Sequence, residues 1–228
     1  MVAVTTTSIP AAVPARVRRP DGTRTAVVLP LALVAGIAAG ALTSWGQTAL
    51  AGTWFAGLAN AVSPWIITSF AVGALARRSW VAALVGLLVC AGEVAGYYLT
   101  AQLRGFGVGT AAVAMWVVAG VVGGPLFGWA GRQWRTGGGR WPGVGAALLV
   151  GCWLAEALVT YALFLRYWGD AAVFAGVAVA LAVVLSRRGR GRALLRWLPA
   201  AVGAGAAGFL VLQVGASLLF TGEPPELF

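Results

Sequence analysis

Apolar runs of about twenty residues recur along this chain, divided by short breaks rich in arginine, glycine and proline. Runs of that length match the thickness of a bilayer's hydrocarbon core rather than the buried face of a soluble helix. Set against the charged breaks, they predict helices near residues 26–46, 54–76, 80–102, 109–130, 143–165, 170–186 and 198–220. The expected fold is therefore all-α: a polytopic membrane protein with a seven-helix transmembrane bundle forming one domain over residues 26–220. Residues 1–25, polar and broken by Pro10, Pro14 and Pro20, read as a disordered basic tail without the pattern of a cleavable signal peptide, and 221–228 as a short tail beyond the last span.

Composition agrees, with 60% hydrophobic and 10% charged residues. The formal net charge of +10 comes from arginine alone, since the chain has neither lysine nor histidine. With a cytoplasmic N-terminus, alternate breaks place every arginine except Arg104 and Arg166 on the inside, which the positive-inside rule favours, and the C-terminus lies outside. The expected location is a bacterial plasma membrane, with the lipid bilayer as the main partner. Arginines spread over segment ends make no continuous basic face, which argues against nucleic-acid binding. The stretch 187–197 reads either as a topology anchor or as a short amphipathic helix on the membrane surface.

Small residues explain much of the glycine content, because they let helices approach closely in lipid. Gly120, Gly123, Gly124, Pro125 and Gly128 predict a bend or break in the fourth helix. Pro64, set among Asn60, Ser63 and Thr68, predicts either a kink whose freed carbonyls line a cavity or one satisfied by neighbouring helices.

Two acids stand out. Glu93 and Glu156 lie inside apolar spans, where a carboxyl is costly and marks proton chemistry or a buried polar partner. Each is followed five residues later by a tyrosine and preceded by a cysteine, Cys90 or Cys152, so the third and fifth helices echo one another. Each glutamate lies thirteen residues into its helix, roughly 20 Å from the arginine-rich end. Two carboxyls sharing one dry site would divide into an acid and a hydrogen-bonding or basic partner. Tyr97, four residues after Glu93, falls on the same helix face and is expected to orient it; Tyr161 aligns less well with Glu156.

Among the eleven tryptophans, Trp54, Trp80, Trp134, Trp141, Trp168 and Trp197 suit the interfacial belts. Trp65, Trp116 and Trp153 fall deeper, and with Tyr97, Tyr98, Tyr161 and Phe164 they are candidates for the wall of a pocket, their faces suited to cations. Packing is the plain alternative for each. Arg104 and Arg166 at the outer mouth read as snorkelling side chains or partners of Asp170, itself a cap or mouth residue. With no histidine and two buried cysteines, neither a metal site nor a histidine-activated nucleophile is expected, and no cofactor. No phosphate-binding loop is present.

Seven short-looped helices with an acid on each of two helices and many aromatic residues resemble the small integral-membrane terpene cyclases of meroterpenoid biosynthesis, in particular the bacterial branch acting on farnesylated indoles. The segments Gly40–Gln47 and Asn60–Trp65 also resemble an actinobacterial multi-span membrane family of unknown function. The cyclase resemblance implies a hydrophobic prenylated substrate and protonation of its terminal alkene or epoxide, followed by a carbocation cascade with no metal or cofactor. Glu93 would be the acid and Glu156 its partner or terminating base, with the roles exchangeable. A different class, a proton-coupled transporter or substrate-binding membrane subunit for a small molecule, accounts better for Pro64 and the Gly123–Pro125 break. A scaffold without chemistry is the third reading.

Overall fold

The computed structural model describes residues 21–187 and 190–222, with the backbone alone at 21–24 and 60. Helix is the regular structure throughout these residues: α1 (Asp21–Ala49), a 3₁₀ turn (Ala56–Asn60), α2 (Val62–Gly73), α3 (Ser79–Leu103), α4 (Thr110–Thr136), α5 (Val144–Glu156) continued by a π-helical stretch (Ala157–Phe164), α6 (Trp168–Leu185) and α7 (Gly191–Phe220). Six of the seven α-helical segments, counting α5 with its π-helical extension, are long and apolar enough to cross a membrane. The tails predicted for 1–20 and 223–228 lie outside the described residues.

The seventh helix, α2, has twelve residues, about 18 Å of helix and well short of a full crossing. The predicted second span is therefore discontinuous, a 3₁₀ turn followed by a short helix. Pro64 is not a kink within it. It is the third residue of α2, in the first turn, where a missing N–H costs nothing. α4, by contrast, runs unbroken through Pro125. Its glycines serve close approach: a Cβ on Gly124 or Gly128 would collide with the backbone of Gly86 or Ala82 on α3. The stretch after Arg187 is also not a separate surface helix, since α7 begins at Gly191 and carries Arg192 and Arg196 in its first turns.

The bundle is built from two parallel helix pairs. On α1, Gly36 meets Val89 and Gly40 meets Glu93 and Tyr97 of α3, both advancing in the same direction. On the other side, Gly143 meets Ala193, Gly151 meets Ala201 and Gly205 meets Ala155, so α5 and α7 also run parallel. In lipid no hydrophobic force separates such an interface from the acyl chains, and van der Waals contact between backbones replaces it.

The short helix α2 lies between the pairs and touches α1, α3, α4 and α5. Its Trp65 ring stands near Tyr97 and Trp116, while its Phe70 ring stands near Trp134, so it descends toward the arginine-rich end. Apolar side chains such as Val118, Val122, Val179, Val183 and Val211 point outward and form the lipid-facing surface.

Candidate functional site

Both glutamates are buried, Glu93 at 0% and Glu156 at 2% exposure, and each meets α2 rather than the other. Glu156 ends α5 where the helix widens into its π stretch. Its Oε1 accepts the Val62 N–H at 2.9 Å and its Oε2 accepts the Ser63 N–H at 2.8 Å. These are first-turn donors of α2 that lack an intrahelical acceptor, and the next residue, Pro64, has no N–H. A carboxylate from another helix thus caps α2, and no α2 side chain does so.

The same wall holds the 3₁₀ turn. Asp170 Oδ1 accepts the Gly57 N–H at 3.1 Å, and the Tyr161 hydroxyl donates to the Gly57 carbonyl at 2.9 Å. A π-helix closes its hydrogen bonds over a wider turn than an α-helix, which carries Tyr161 toward the side of Glu156 that sequence spacing had left misaligned. Arg166, with φ of 55°, ends the stretch in the left-handed region.

Glu93 has no such arrangement. It lies where the α1 backbone presses on α3, with its carboxyl beside the Thr68 hydroxyl of α2 and the Cys90 thiol, and neither oxygen has a hydrogen bond of normal geometry among the described residues. Tyr97 does not orient it. Its hydroxyl instead donates to Gln47 Oε1 on α1 at 2.7 Å, an acceptor farther from the arginine-rich end than Glu93. Serine and cysteine pair beside each acid: Ser69 with Cys90 at 3.4 Å, and Ser63 with Cys152 at 3.8 Å.

One turn beyond Glu93 lies a cavity of about 70 Å³ lined by Gln47, Ala59, Ala61, Trp65, Tyr97 and Trp116. Ring centroids lie 5.4 Å apart for Trp65–Trp116 and 6.0 Å for Trp65–Tyr97, and Tyr98 meets Tyr97 edge-on at 4.9 Å. The Trp65 indole is fixed by an N–H to Thr43 Oγ1 at 3.2 Å. The remaining aromatic candidates do not join this wall. Trp153 and Tyr161 stack on Phe174 of α6, at 5.0 and 4.5 Å, and Phe164 packs against that same core. The pocket predicted from seven aromatic residues and two acids is thus two groups, one at the cavity near Glu93 and one packed behind Glu156.

At the mouth, Arg104 is not paired with Asp170. Its guanidinium donates to the Ser44 carbonyl and Thr48 hydroxyl at the end of α1 and covers the Trp45 and Phe106 rings at 4.4 and 5.0 Å. Sequence reading gave no role to Gln47 or Gly57, and for Gly36 and Gly40 the signal was the four-residue spacing of small residues. No group of acids, cysteines or histidines among the described residues is placed to hold a metal ion.

No curated protein and no solved structure matches the chain. Residues 19–218, most of the chain and all of the helices that frame this site, match one family, and the protein belongs to DUF6518, a family of unknown function.

Proposed function

We propose that this protein carries a small solute across the membrane, or binds it for a transport partner, with the aromatic cavity as reception site and Glu93 as the group that exchanges a proton or faces the solute's charge. One observation carries the reading: Glu93 is fully buried and neither of its oxygens has a hydrogen bond of normal geometry among the described residues, while each oxygen of the other buried acid accepts a backbone N–H. A polar group left unsatisfied in a packed interior is costly, and an ionisable one at bilayer depth is a functional group by default. The discontinuous second crossing supports the same reading, since broken helices at internal sites recur in carriers. In this reading the membrane is the bacterial plasma membrane and the arginine-rich end is cytoplasmic, so the cavity lies on the outer side of Glu93.

The cavity's chemistry indicates the solute. Indole and phenol faces favour a compact cation such as an ammonium or amidinium group. A volume near 70 Å³ holds about two waters and is smaller than the roughly 150 Å³ that accommodates benzene, so anything larger requires the 3₁₀ turn or Trp65 to move. The test is uptake of methylammonium and guanidinium into proteoliposomes under an imposed pH gradient. Gradient-dependent uptake that disappears in Glu93→Gln and persists in Tyr98→Phe supports the reading; uptake indifferent to Glu93→Gln, or absent throughout, overturns it.

A second reading, the terpene cyclase, is favoured by three aromatic faces one helical turn from a buried acid, the elements needed to protonate an alkene and shield a cation. A farnesyl chain requires several times the observed volume. The two readings separate on product. A cyclase converts a farnesylated indole in detergent to a product of unchanged mass with fewer double bonds and needs no gradient, whereas a carrier returns its solute unaltered.

A further inference from the structure

The arginines at the arginine-rich end are used in two distinct ways. Arg132 donates to the Arg77 carbonyl and to Ser79 Oγ, Arg135 to the Ala76 carbonyl, and Arg190 to the Trp134 carbonyl, so these three guanidinium groups tie helix ends together. Arg140 and Arg196 do something else. Each lies over the indole of its neighbour, with Cζ 5.1 Å from the Trp141 ring and 5.8 Å from the Trp197 ring, and the two indoles meet at 5.3 Å with an interplanar angle of 63°. Neither guanidinium donates a hydrogen bond to the protein among the described residues, so its planar set of N–H donors faces outward.

The backbone beneath adds positive potential. Gly143, just before α5, packs against Ala193 in the first turn of α7, so the N-termini of two parallel helices stand side by side. Neither has a side-chain cap. Their dipoles point the same way and favour an anion. The acids whose surroundings are described, Glu93, Glu156 and Asp170, all make their contacts elsewhere in the bundle. Leu195, exposed and next to Arg196 in the chain, adds apolar surface to that of the two indoles, which a lipid would use and a free ion would not.

We infer that Arg140, Trp141, Arg196 and Trp197 form a binding site for the headgroup of an anionic phospholipid, the two guanidinium groups, one over each of the paired indoles, suiting a headgroup that carries two phosphates. Charge complementarity and the adjoining apolar surface select a lipid as the occupant. The site is independent of the cavity near Glu93.

The experiment compares thermal unfolding of the full chain in a neutral detergent with diphosphatidylglycerol, phosphatidylcholine or inorganic phosphate added. A ligand that binds the folded state raises the midpoint. The expected result is a rise with diphosphatidylglycerol alone, at least halved in R140Q/R196Q and retained in R187Q/R192Q, the lipid-free midpoints being equal. An equal rise with phosphatidylcholine or with phosphate overturns the proposal, as does an equal loss in both double variants. If R140Q/R196Q does not fold, native mass spectrometry of the unmodified protein decides: retention of one diphosphatidylglycerol in preference to phosphatidylcholine supports the site, and no such preference overturns it.

Discussion

Along α2 the same side chain is held in two opposite ways. At its first turn Glu156 accepts two backbone N–H groups, and its carboxylate works as a structural cap supplied from another helix. Farther along, Glu93 lies beside Thr68 and Cys90 with neither oxygen in a hydrogen bond of normal geometry among the described residues. Burial is nearly identical, so burial does not separate the two acids. Hydrogen-bond accounting does. The acid bonded through both oxygens caps the start of α2, whereas the other makes no hydrogen bond of normal geometry among the described residues.

The most forceful way to break this comparison is to remove each acid and follow stability. Glu156→Leu leaves the Val62 and Ser63 N–H groups buried without acceptors, a loss of roughly 2–6 kcal/mol at about 1–3 kcal/mol per unsatisfied donor. Thermal unfolding in detergent is expected to show a large drop, with Glu156→Gln intermediate because its amide oxygen still accepts one bond. Glu93→Leu is expected to leave stability unchanged or raise it, by up to about 3 kcal/mol, because it removes buried polar atoms without hydrogen bonds of normal geometry from a packed interior. Equal destabilisation by the two substitutions would remove the distinction on which the proposed role of Glu93 stands.

Close packing gives a second test. Gly40 presses on the backbone of Glu93 and Tyr97 so tightly that no Cβ fits between. Gly40→Leu must therefore push α1 away from α3, at a cost of about 1–3 kcal/mol or more. Gly203, where a Cβ would meet nothing within 4 Å, is the control. Gly203→Leu on α7 is expected to be tolerated, and a similar midpoint for the two variants would show that the α1–α3 contact is looser than described.

Much of this was legible in the sequence because apolar length is a local signal. The long helices follow from it, as do the two buried acids. The second crossing was not legible in the same way. Residues 54–76 are apolar enough to read as one span despite Asn60, Ser63 and Thr68, and the break within them meets Glu156, more than ninety positions away in the chain. Pro64 marked the place but not its meaning, since proline suits a first turn and a kink equally well. Tyr97 failed for a related reason. Helical spacing put it on the face of Glu93, but the acceptor that won its hydroxyl belongs to α1. Spacing along one helix cannot report which neighbour packs against it.

Tyrosines on the two sides offer a smaller contrast. Tyr161→Phe removes the hydroxyl that holds the Gly57 carbonyl, and Tyr97→Phe removes the one that meets Gln47. Each loss is expected to cost about 0.5–1.5 kcal/mol. They should differ in function, because Tyr97 lines the cavity and Tyr161 belongs to the packed wall behind Glu156. Solute uptake by Tyr97→Phe is expected to change at a fixed gradient, and uptake by Tyr161→Phe to follow stability alone. A reversal of that order would relocate the site to the α5–α6 wall.

The smallest effect has the most informative sign. If Pro64 sat inside a continuous helix, replacing it with alanine would restore a hydrogen bond and remove a ring clash, stabilising the protein by about 3 kcal/mol. In the first turn of α2 there is no bond to restore. Alanine there only loosens the unfolded chain and adds an N–H that Glu156, already bonded to Val62 and Ser63, must share. Pro64→Ala is thus expected to lower stability by about 0.4–1 kcal/mol, the ordinary penalty for releasing a compatible proline. A midpoint that rises instead would mean that the second crossing is one kinked helix, and Glu156 would lose the structural task that sets it apart from Glu93.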